Sequence, residues 1–378
     1  MDAMEITSLE TFTKHDVEDY YARYPAPVSV VRVRTDTGEE GIGQMSPYNA
    51  DITSQVFHRQ VAPHALGRDP LKIEKLVTDV LTSEYKYPWS YVNRALSGLD
   101  TALWDIKAKR KGVSVCELLG GEPTTVKPYA SSMRRDITPD EEASRLKKLQ
   151  RRDGYEAFKI RIGSWESQGD DEDAWSGRTE QVVPTVRDAL GDDVELFVDA
   201  NGTYSPDTAI SISEDILQPN NVAHYEEPCP FWELEWTKKV RENVDIPVAG
   251  GEQDNHLSQW RRIFNKPAVD IAQPDVCYLG GVHRMLEVTE MAADVGIPIV
   301  PHSANQSLVT VFTMHVLGAI DATGPCLELT IEEDWAANML DTDFTVENGE
   351  ISIPDGDGWG VDINQDWLET SNYEISTT

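Results

Sequence analysis

The sequence predicts an α/β protein, a (β/α)₈-type barrel of modified form with an α+β capping domain at its N-terminus. Short apolar strands alternate with helical stretches from about residue 125 onward, whereas residues 4–46 alternate and turn like an antiparallel β unit. The 378 residues also exceed what one hydrophobic core usually serves. We therefore expect a capping domain over 1–122, a barrel over 123–335 and a C-terminal segment, 336–378, that returns to the capping domain.

The first domain opens with strand-like segments and continues as helices. The strands are EITSLETFT and PVSVVRVRT, followed by a DTGEEG turn and a third strand, IGQM. Residues 54–119 have helical patterns, and YVNRALSGLDTALWDIKAKRKG places a series of apolar side chains on one face before it ends at a glycine. That face comprises Ala95, Leu99, Ala102, Leu103 and Ile106. The sequence LLGGE at 118–122 marks the expected domain boundary.

Eight strand candidates follow, most of them separated by a helical pattern. They are VKPYASS (126–132), AFKIRIG (157–163), ELFVDANG (195–202), AHYEEP (223–228), IPVAGGE (246–252), DIAQPDV (270–276), IPIVPHS (297–303) and CLELT (326–330). Eight βα units over about 200 residues favour a closed, TIM-like barrel, with a doubly wound open sheet as the alternative. We expect the acidic stretch 164–177 to be a solvated loop insertion, and the extended residues 344–363 to rejoin the sheet of the first domain.

The chain is strongly acidic, with 66 Asp and Glu against 33 Lys and Arg and a formal net charge of −33. Such a surface repels nucleic acids and anionic membranes, so we exclude both as partners. It also favours a halophilic protein, because about 1 M salt shortens the screening length to roughly 3 Å; an ordinary acidic protein is the alternative. No apolar run has the length of a membrane span, and the N-terminus lacks a signal-peptide pattern. We therefore expect a cytoplasmic protein.

The cysteines indicate neither a disulfide framework nor a zinc site. Cys116, Cys229, Cys277 and Cys326 are widely spaced and form no CxxC pair. We expect buried, unpaired thiols.

Acidic residues and one histidine end five successive strand candidates. They are Asp199, Glu226, Glu252, Asp275 and His302, at intervals of 27, 26, 23 and 27 residues, or one βα unit each. Because active sites of such barrels lie at the C-terminal ends of the strands, these side chains are expected to converge. Helix caps and salt bridges explain a single acid at such a place. The three carboxylates in succession, Asp199, Glu226 and Glu252, favour a site for a hard cation, Mg²⁺.

Other charged residues are expected at the same end of the barrel. Lys159 and Arg161 lie two residues apart on the second strand, so both side chains point to one face. They pair electrostatically with Asp199 and its neighbours, or at least one contacts substrate or transfers a proton. Asp275 and His302 follow adjacent strands, where a carboxylate bonded to one ring nitrogen would raise the basicity of the imidazole.

The motifs KIRIG, VDANG, YEEP, GGE, QPD and VPHS, in this order, resemble those of the mandelate racemase/muconate lactonizing enzyme-like branch of the enolase superfamily. LSGLDTALWDIKAKRKGVSVCELLGG and IPDGDGWGVDI are similar to the family's helix before the barrel and its closing strand. The resemblance implies a homo-oligomer in which Asp199, Glu226 and Glu252 bind Mg²⁺ and the His302–Asp275 dyad is an acid/base. It also implies that Lys159 is the first basic residue of the second-strand pair and that Glu328 is the eighth-strand acid. From its place at the end of the eighth strand, Glu328 is expected to form a hydrogen bond with the substrate.

One departure from the family pattern bears on the reaction. Racemizing members carry a second lysine where this chain has Arg161, and a guanidinium is a poor proton acceptor. A single base, His302, suffices for dehydration of a small carboxylate substrate, with loss of the α-proton and of the β-hydroxyl. The resemblance then implies an acid-sugar dehydratase that yields a 2-keto-3-deoxy acid, with Lys159 and Arg161 neutralising the substrate carboxylate.

Three alternatives remain at this point. They are a racemase or epimerase with Lys159 as second base, a cycloisomerase, and a non-catalytic sensor of acid sugars. In the family, loops of the first domain close the barrel mouth, so HDVEDYYARYP and SPYNAD (46–51) are candidate substrate loops. The candidate substrate residues are Asn201, His15, Tyr20, Tyr21, Arg23 and Tyr24.

Overall fold

The computed structural model of the protein describes residues 4–14, 28–303, 305–320, 324–332, 338–342 and 344–378. Its strands are β1 (Ile6–Lys14), β2 (Val28–Thr35), β3 (Glu40–Gln44), β4 (Thr125–Ser131), β5 (Ala157–Arg161), β6 (Glu195–Asp199), β7 (Val222–Glu226), β8 (Val248–Gly250), β9 (Ile271–Ala272), β10 (Pro325–Thr330), β11 (Ile351–Ser352) and β12 (Asn372–Thr377). Candidate substrate residues His15, Tyr20, Tyr21, Arg23 and Tyr24 lie outside the described residues.

Helices occupy most of the intervals between the strands. They are α1 (Ala50–Val56), α2 (Ala62–Ala65), α3 (Ile73–Ser83), α4 (Tyr91–Lys109), α5 (Val115–Leu118), α6 (Pro139–Asp153), α7 (Arg178–Leu190), α8 (Pro206–Ile212), α9 (Leu234–Arg241), α10 (Leu257–Asn265), α11 (Val276–Leu279), α12 (Val282–Val295), α13 (Leu308–Leu317) and α14 (Gln365–Glu369). None of those in the described ranges combines the length and hydropathy needed to cross a bilayer.

The capping domain is an antiparallel sheet packed against α4. Its strand order is β12–β1–β2–β3. The predicted apolar face of α4 is fully buried, and β3 approaches this helix closely because EGIGQ lacks side chains at alternate positions. A Cβ at Gly41 would collide with the Ala102 carbonyl oxygen, so glycine is required there by the close approach rather than by a turn.

The barrel is a curled parallel sheet in the order β10–β4–β5–β6–β7–β8–β9. The seventh predicted segment, IPIVPHS, pairs with β9 through a single bridge between Ile299 and Ala272. Pro298 and Pro301 explain why this strand is so short, since proline has no N–H to give to a ladder. The same segment contacts β10, where Ser303 Oγ donates to the Glu328 carbonyl oxygen at 2.8 Å. The predicted barrel with an α+β N-terminal domain is confirmed. The four cysteines of the chain are free and buried, as expected.

The C-terminal part differs from the expectation for 344–363. Within it, β11 pairs antiparallel with barrel strand β4, where Ile351 lies opposite Val126, and does not join the first sheet. Downstream, buried Trp359 packs against α4 and donates from Nε1 to the Thr101 carbonyl oxygen at 3.1 Å. The strand that joins the first sheet is β12, which pairs with β1. The turn residues of PDGDG end β11 early, which leaves a later segment to complete the sheet.

The net charge of −33 leads to a prediction about salt. We expect the midpoint of thermal unfolding to rise from about 0.1 M to about 2 M KCl, because screening relieves repulsion between like charges. Thermal melts followed by circular dichroism would measure it. NaCl at equal ionic strength should give the same rise, because screening depends on ionic strength. A flat or falling midpoint would contradict a halophilic surface.

Candidate active site

The predicted strand-end residues are buried at the C-terminal end of the barrel. Asp199 and Glu226 are the last residues of β6 and β7 and lie opposite each other in the parallel register. Glu252 follows β8 by two residues, and Asp275 follows β9 by three. All four, and His302, are less than a tenth exposed.

Lys159 and Arg161 on β5 bind these acids. Lys159 Nζ donates to both carboxylate oxygens of Glu226, at 2.7 and 2.8 Å, and lies 2.7 Å from Glu328 Oε1. Arg161 forms an ion pair with Asp199 and donates from Nε to the Ser132 carbonyl oxygen at 3.0 Å. Burial alone would raise the pKa of Glu226, but the nearby charge of Lys159 holds that pKa well below its usual value.

His302 and Asp275 form a close pair. Nδ1 of His302 lies 2.8 Å from one carboxylate oxygen of Asp275, and the other oxygen accepts from the backbone N–H groups of Cys277 and Tyr278 at 2.7 and 2.8 Å. These two bonds cap α11 and fix the orientation of the carboxylate. Because a carboxylate accepts hydrogen bonds, the pair holds a proton on Nδ1, so Nε2 is the ring nitrogen that gains or loses a proton.

The other side of the imidazole faces more acids. Nε2 of His302 is 3.4 Å from Glu252 Oε2 and 3.9 Å from Glu328 Oε2. Burial alone would lower the pKa of His302, but the charge of Glu252 and the hydrogen bond to Asp275 outweigh burial and raise the pKa to about 10. A cation bound to Glu252 would offset its charge and lower the pKa of His302, which would free Nε2 to accept a proton.

The donor chemistry of this region fits a hard divalent cation, because Asp199, Glu226 and Glu252 bring buried carboxylates from three adjacent barrel positions. The three carboxylates are not arranged as a preformed metal-binding site. In the part of the chain that the structure describes, no three His, Cys, Asp or Glu side chains converge closely enough to hold a metal ion. Lys159 and Arg161 bind the first two acids, and Gln253 donates to Glu252 at 2.9 Å.

A cavity of about 670 Å³ opens above these residues, between the barrel and the capping domain. His302, Arg161, Glu252 and Asn201 line it, whereas Lys159 lies beneath and does not. The capping domain contributes Pro47, Tyr48 and Asn49 of the SPYNAD loop, together with Trp89, Ser90, Tyr91 and Arg94. Asn201, a predicted substrate contact, accepts from Arg135 at 2.9 Å and donates to Asp199.

Sequence reasoning missed three charged residues of the cavity wall: Arg94, Arg135 and Glu227. Glu227 follows the proposed ligand Glu226 in the EEP motif and has a strained positive φ of 39°. Burial, with the charges of Glu252 and Glu226, raises the pKa of Glu227 well above its usual value. The doublet of glutamates at a strand end was the only signal for it, while nothing in the sequence places Arg94 or Arg135 at the cavity.

The acidic insertion 164–177 is largely exposed, as expected of a solvated loop, but its first residues also form part of the wall. Trp165 and Gln168 line the cavity, and Gln168 Nε2 donates to the Asn201 carbonyl oxygen at 2.9 Å. Ser167 is buried and donates to the Thr203 carbonyl oxygen. Ser167 and Gln168, near the start of the insertion, are therefore held against the barrel by hydrogen bonds.

Two known proteins of related sequence match this chain over most of its length. Arabinonate dehydratase of Saccharolobus solfataricus is 27% identical over 92% of this chain and 91% of its own length. D-galactarolactone cycloisomerase of Agrobacterium fabrum is 32% identical over 80% of each chain.

Solved structures of other proteins superpose on this chain over nearly its whole length. A candidate racemase from Roseobacter denitrificans superposes with a TM-score of 0.93 at 46% identity, over 99% of this chain and 100% of its own. L-talarate dehydratase from Polaromonas sp. JS666, solved with Mg and L-glucarate, superposes with a TM-score of 0.85 at 22% identity, over 100% of both chains.

Family profiles match most of the sequence. Residues 20–120 match the N-terminal domain of mandelate racemase / muconate lactonizing enzyme, and residues 141–367 match the enolase C-terminal domain-like family. The chain therefore belongs to the enolase superfamily, in its mandelate racemase/muconate lactonizing enzyme branch.

Proposed function

We propose that the protein is a Mg²⁺-dependent dehydratase of sugar acids that produces 2-keto-3-deoxy acids. One observation carries the proposal: His302, supported by Asp275, is on the cavity wall, and the residue of the β5 pair that shares this wall is Arg161. Lys159, the second base of the racemase alternative, is fully buried below the cavity and bonded to Glu226 and Glu328. Chemistry with one base therefore fits the site better than racemization with two.

His302 Nε2 accepts the proton α to the substrate carboxylate, and Asp275 holds the ring and stabilises the imidazolium that forms. Arg161 lies at the cavity wall, where its charge would stabilise the developing anion. The electron pair of the broken C–H bond then expels the β-hydroxyl, which leaves as water with the proton held by His302. The resulting enol tautomerises to the 2-keto-3-deoxy acid.

Bound Mg²⁺ would add charge stabilisation of the substrate carboxylate, with Asp199, Glu226 and Glu252 as its ligands. The presence of Mg and L-glucarate with the Polaromonas enzyme supports a metal and a sugar acid in this fold. The arabinonate dehydratase relative supports the reaction class.

The cycloisomerase relative keeps one alternative open, because a lactone ring can also be opened by elimination with a single base. The candidate racemase from Roseobacter denitrificans supports a second alternative. A sensor that only binds acid sugars would not need the His302–Asp275 pair.

Proton NMR of a panel of aldonic acids, aldaric acids and their lactones, incubated with enzyme and Mg²⁺ in D₂O, separates these reactions. We expect a 2-keto-3-deoxy product carrying deuterium at C3, because the enol takes up a deuteron from solvent there. Epimerisation would instead return substrate that is inverted and deuterated at C2. A cycloisomerase would convert a lactone to an isomer without loss of water. Either of these as the main reaction would overturn the dehydratase proposal.

A further inference from the structure

Arg94 is a cation on the cavity wall that the proposed chemistry does not use. Its guanidinium carbon lies 3.8 Å from the centre of the Tyr278 ring. One terminal nitrogen donates to Ser46 Oγ at 2.6 Å, and the other donates to Gln253 Oε1 at 3.0 Å. These neutral partners fix the guanidinium without neutralising it, and no acid among the described residues forms an ion pair with it.

We infer that Arg94 binds a second carboxylate of the substrate, at the end of the carbon chain remote from the reacting carbon. The substrate would then be a sugar diacid (an aldarate) rather than a sugar monoacid (an aldonate). This inference rests on the proposed function and narrows its substrate class. A planar guanidinium held in one orientation suits a carboxylate, because both groups can form two parallel hydrogen bonds.

The position of Arg94 relative to the proposed base fits this role. The Tyr278 ring centre is 5.6 Å from the centre of the His302 imidazole, so the guanidinium carbon of Arg94 is at most about 9.4 Å from that imidazole. In a six-carbon acid, C2 and the far carboxyl carbon are separated by four carbon–carbon bonds, roughly 5 Å in an extended chain. Adding a hydrogen-bond distance of about 3 Å at each end gives roughly 11 Å for an extended chain. This exceeds the upper bound on the gap, so a six-carbon diacid reaches both groups in a bent conformation.

The charged side chains that line the cavity also favour a substrate with two negative charges. The chain as a whole has twice as many acidic as basic residues, but among the residues that the structure describes the cavity wall carries three arginines, Arg94, Arg135 and Arg161, against two glutamates, Glu227 and Glu252. Arg161 contacts Asp199 close to the reacting centre, whereas Arg94 comes from the capping domain, on the far side of Gln253. We therefore assign Arg161 to the reacting end of the substrate and Arg94 to its remote end.

Steady-state kinetics on acids that differ only in the oxidation of the terminal carbon test the inference, for example galactonate with galactarate and gluconate with glucarate. We expect kcat/KM to be at least about 10-fold higher for the diacid. Arg94→Met should lower kcat/KM for the diacid by about 10- to 100-fold more than for the monoacid, and Arg94→Lys should restore part of the difference. As a matched control, Arg110→Met, just beyond the end of α4 and paired with Glu39, should leave the ratio unchanged.

A merely structural role for Arg94 predicts a different result. Loss of its bonds to Ser46 and Gln253 would then lower kcat/KM for both acids equally, and this outcome, or equal use of both acids by the wild type, would overturn the inference. Calorimetric binding of galactarate and galactonate to His302→Asn keeps the test separate from turnover. Tighter binding of the diacid that is lost on adding Arg94→Met supports the inference, and equal binding refutes it. Failure of every acid to yield a keto product would instead refute the proposed function.

Discussion

His302→Asn should lower kcat by about 10³- to 10⁴-fold and abolish exchange of the α-proton, because this side chain is the proposed base at the cavity wall. Asparagine keeps a polar group next to Asp275 but has no basic nitrogen. Proton NMR in D₂O would report exchange, and 2-keto acid formation would report turnover. His283→Asn, on the outer helix α12, is the matched control and should leave both rates unchanged. Undiminished exchange in His302→Asn would show that another group removes the proton.

Asp275→Asn tests the role of the carboxylate in the His302–Asp275 pair. Its oxygen can still accept from the N–H groups of Cys277 and Tyr278, so the fold around α11 should be kept. Its amide would then point at His302 Nδ1 and force the tautomer whose proton is on Nε2, which cannot act as the base. We therefore expect a loss comparable to that of His302→Asn with an unchanged circular dichroism spectrum.

Glu252→Gln is expected to have the second large effect, a loss of at least about 10³-fold in kcat/KM together with loss of metal binding. The substitution keeps an acceptor for Gln253 but removes the charge of the most exposed of the three proposed ligands. In EDTA-treated wild-type protein, added Mg²⁺ should restore activity and raise the midpoint of thermal unfolding, because a ligand that binds only the native state stabilises it.

The thermal shift gives this test a result that does not depend on activity. Glu252→Gln should show no shift with Mg²⁺ at concentrations that saturate the wild type, whereas Glu235→Gln, an exposed glutamate on α9, should behave as the wild type does. Full activity of the wild type in EDTA, or a normal Mg²⁺ shift in Glu252→Gln, would contradict the metal assignment.

The barrel and the positions of its strand-end residues follow from local sequence patterns. Each strand is a short apolar run, and each βα unit repeats at nearly the same length, so Asp199, Glu226, Glu252, Asp275 and His302 could be placed at one end before any contact was known. The prolines of IPIVPHS and the turn residues after β11 are also visible in the sequence, but their effect on strand length depends on which neighbour offers hydrogen bonds.

Local sequence patterns do not predict how deeply each side chain is buried or which residues line the cavity. Lys159 and Arg161 share a face, but residues i and i+2 of a strand are about 6.6 Å apart, so only the one nearer the strand end reaches the cavity. The contact between Arg94 and Gln253 joins residues 159 positions apart. It depends on how the capping domain sits on the barrel, which no local pattern encodes.

The pairing of β1 with β12 affects how the protein is made. Lys14 at the end of β1 and Thr370 just before β12 are 356 residues apart and are joined by a hydrogen bond. At about 5–20 residues per second, a ribosome needs tens of seconds to synthesise the chain between them. During that time one edge of β1 has no strand beside it, although β2 already covers the other. The capping sheet can therefore be completed only after the barrel has been translated, and the nascent N-terminal strand is exposed to mispairing throughout that interval.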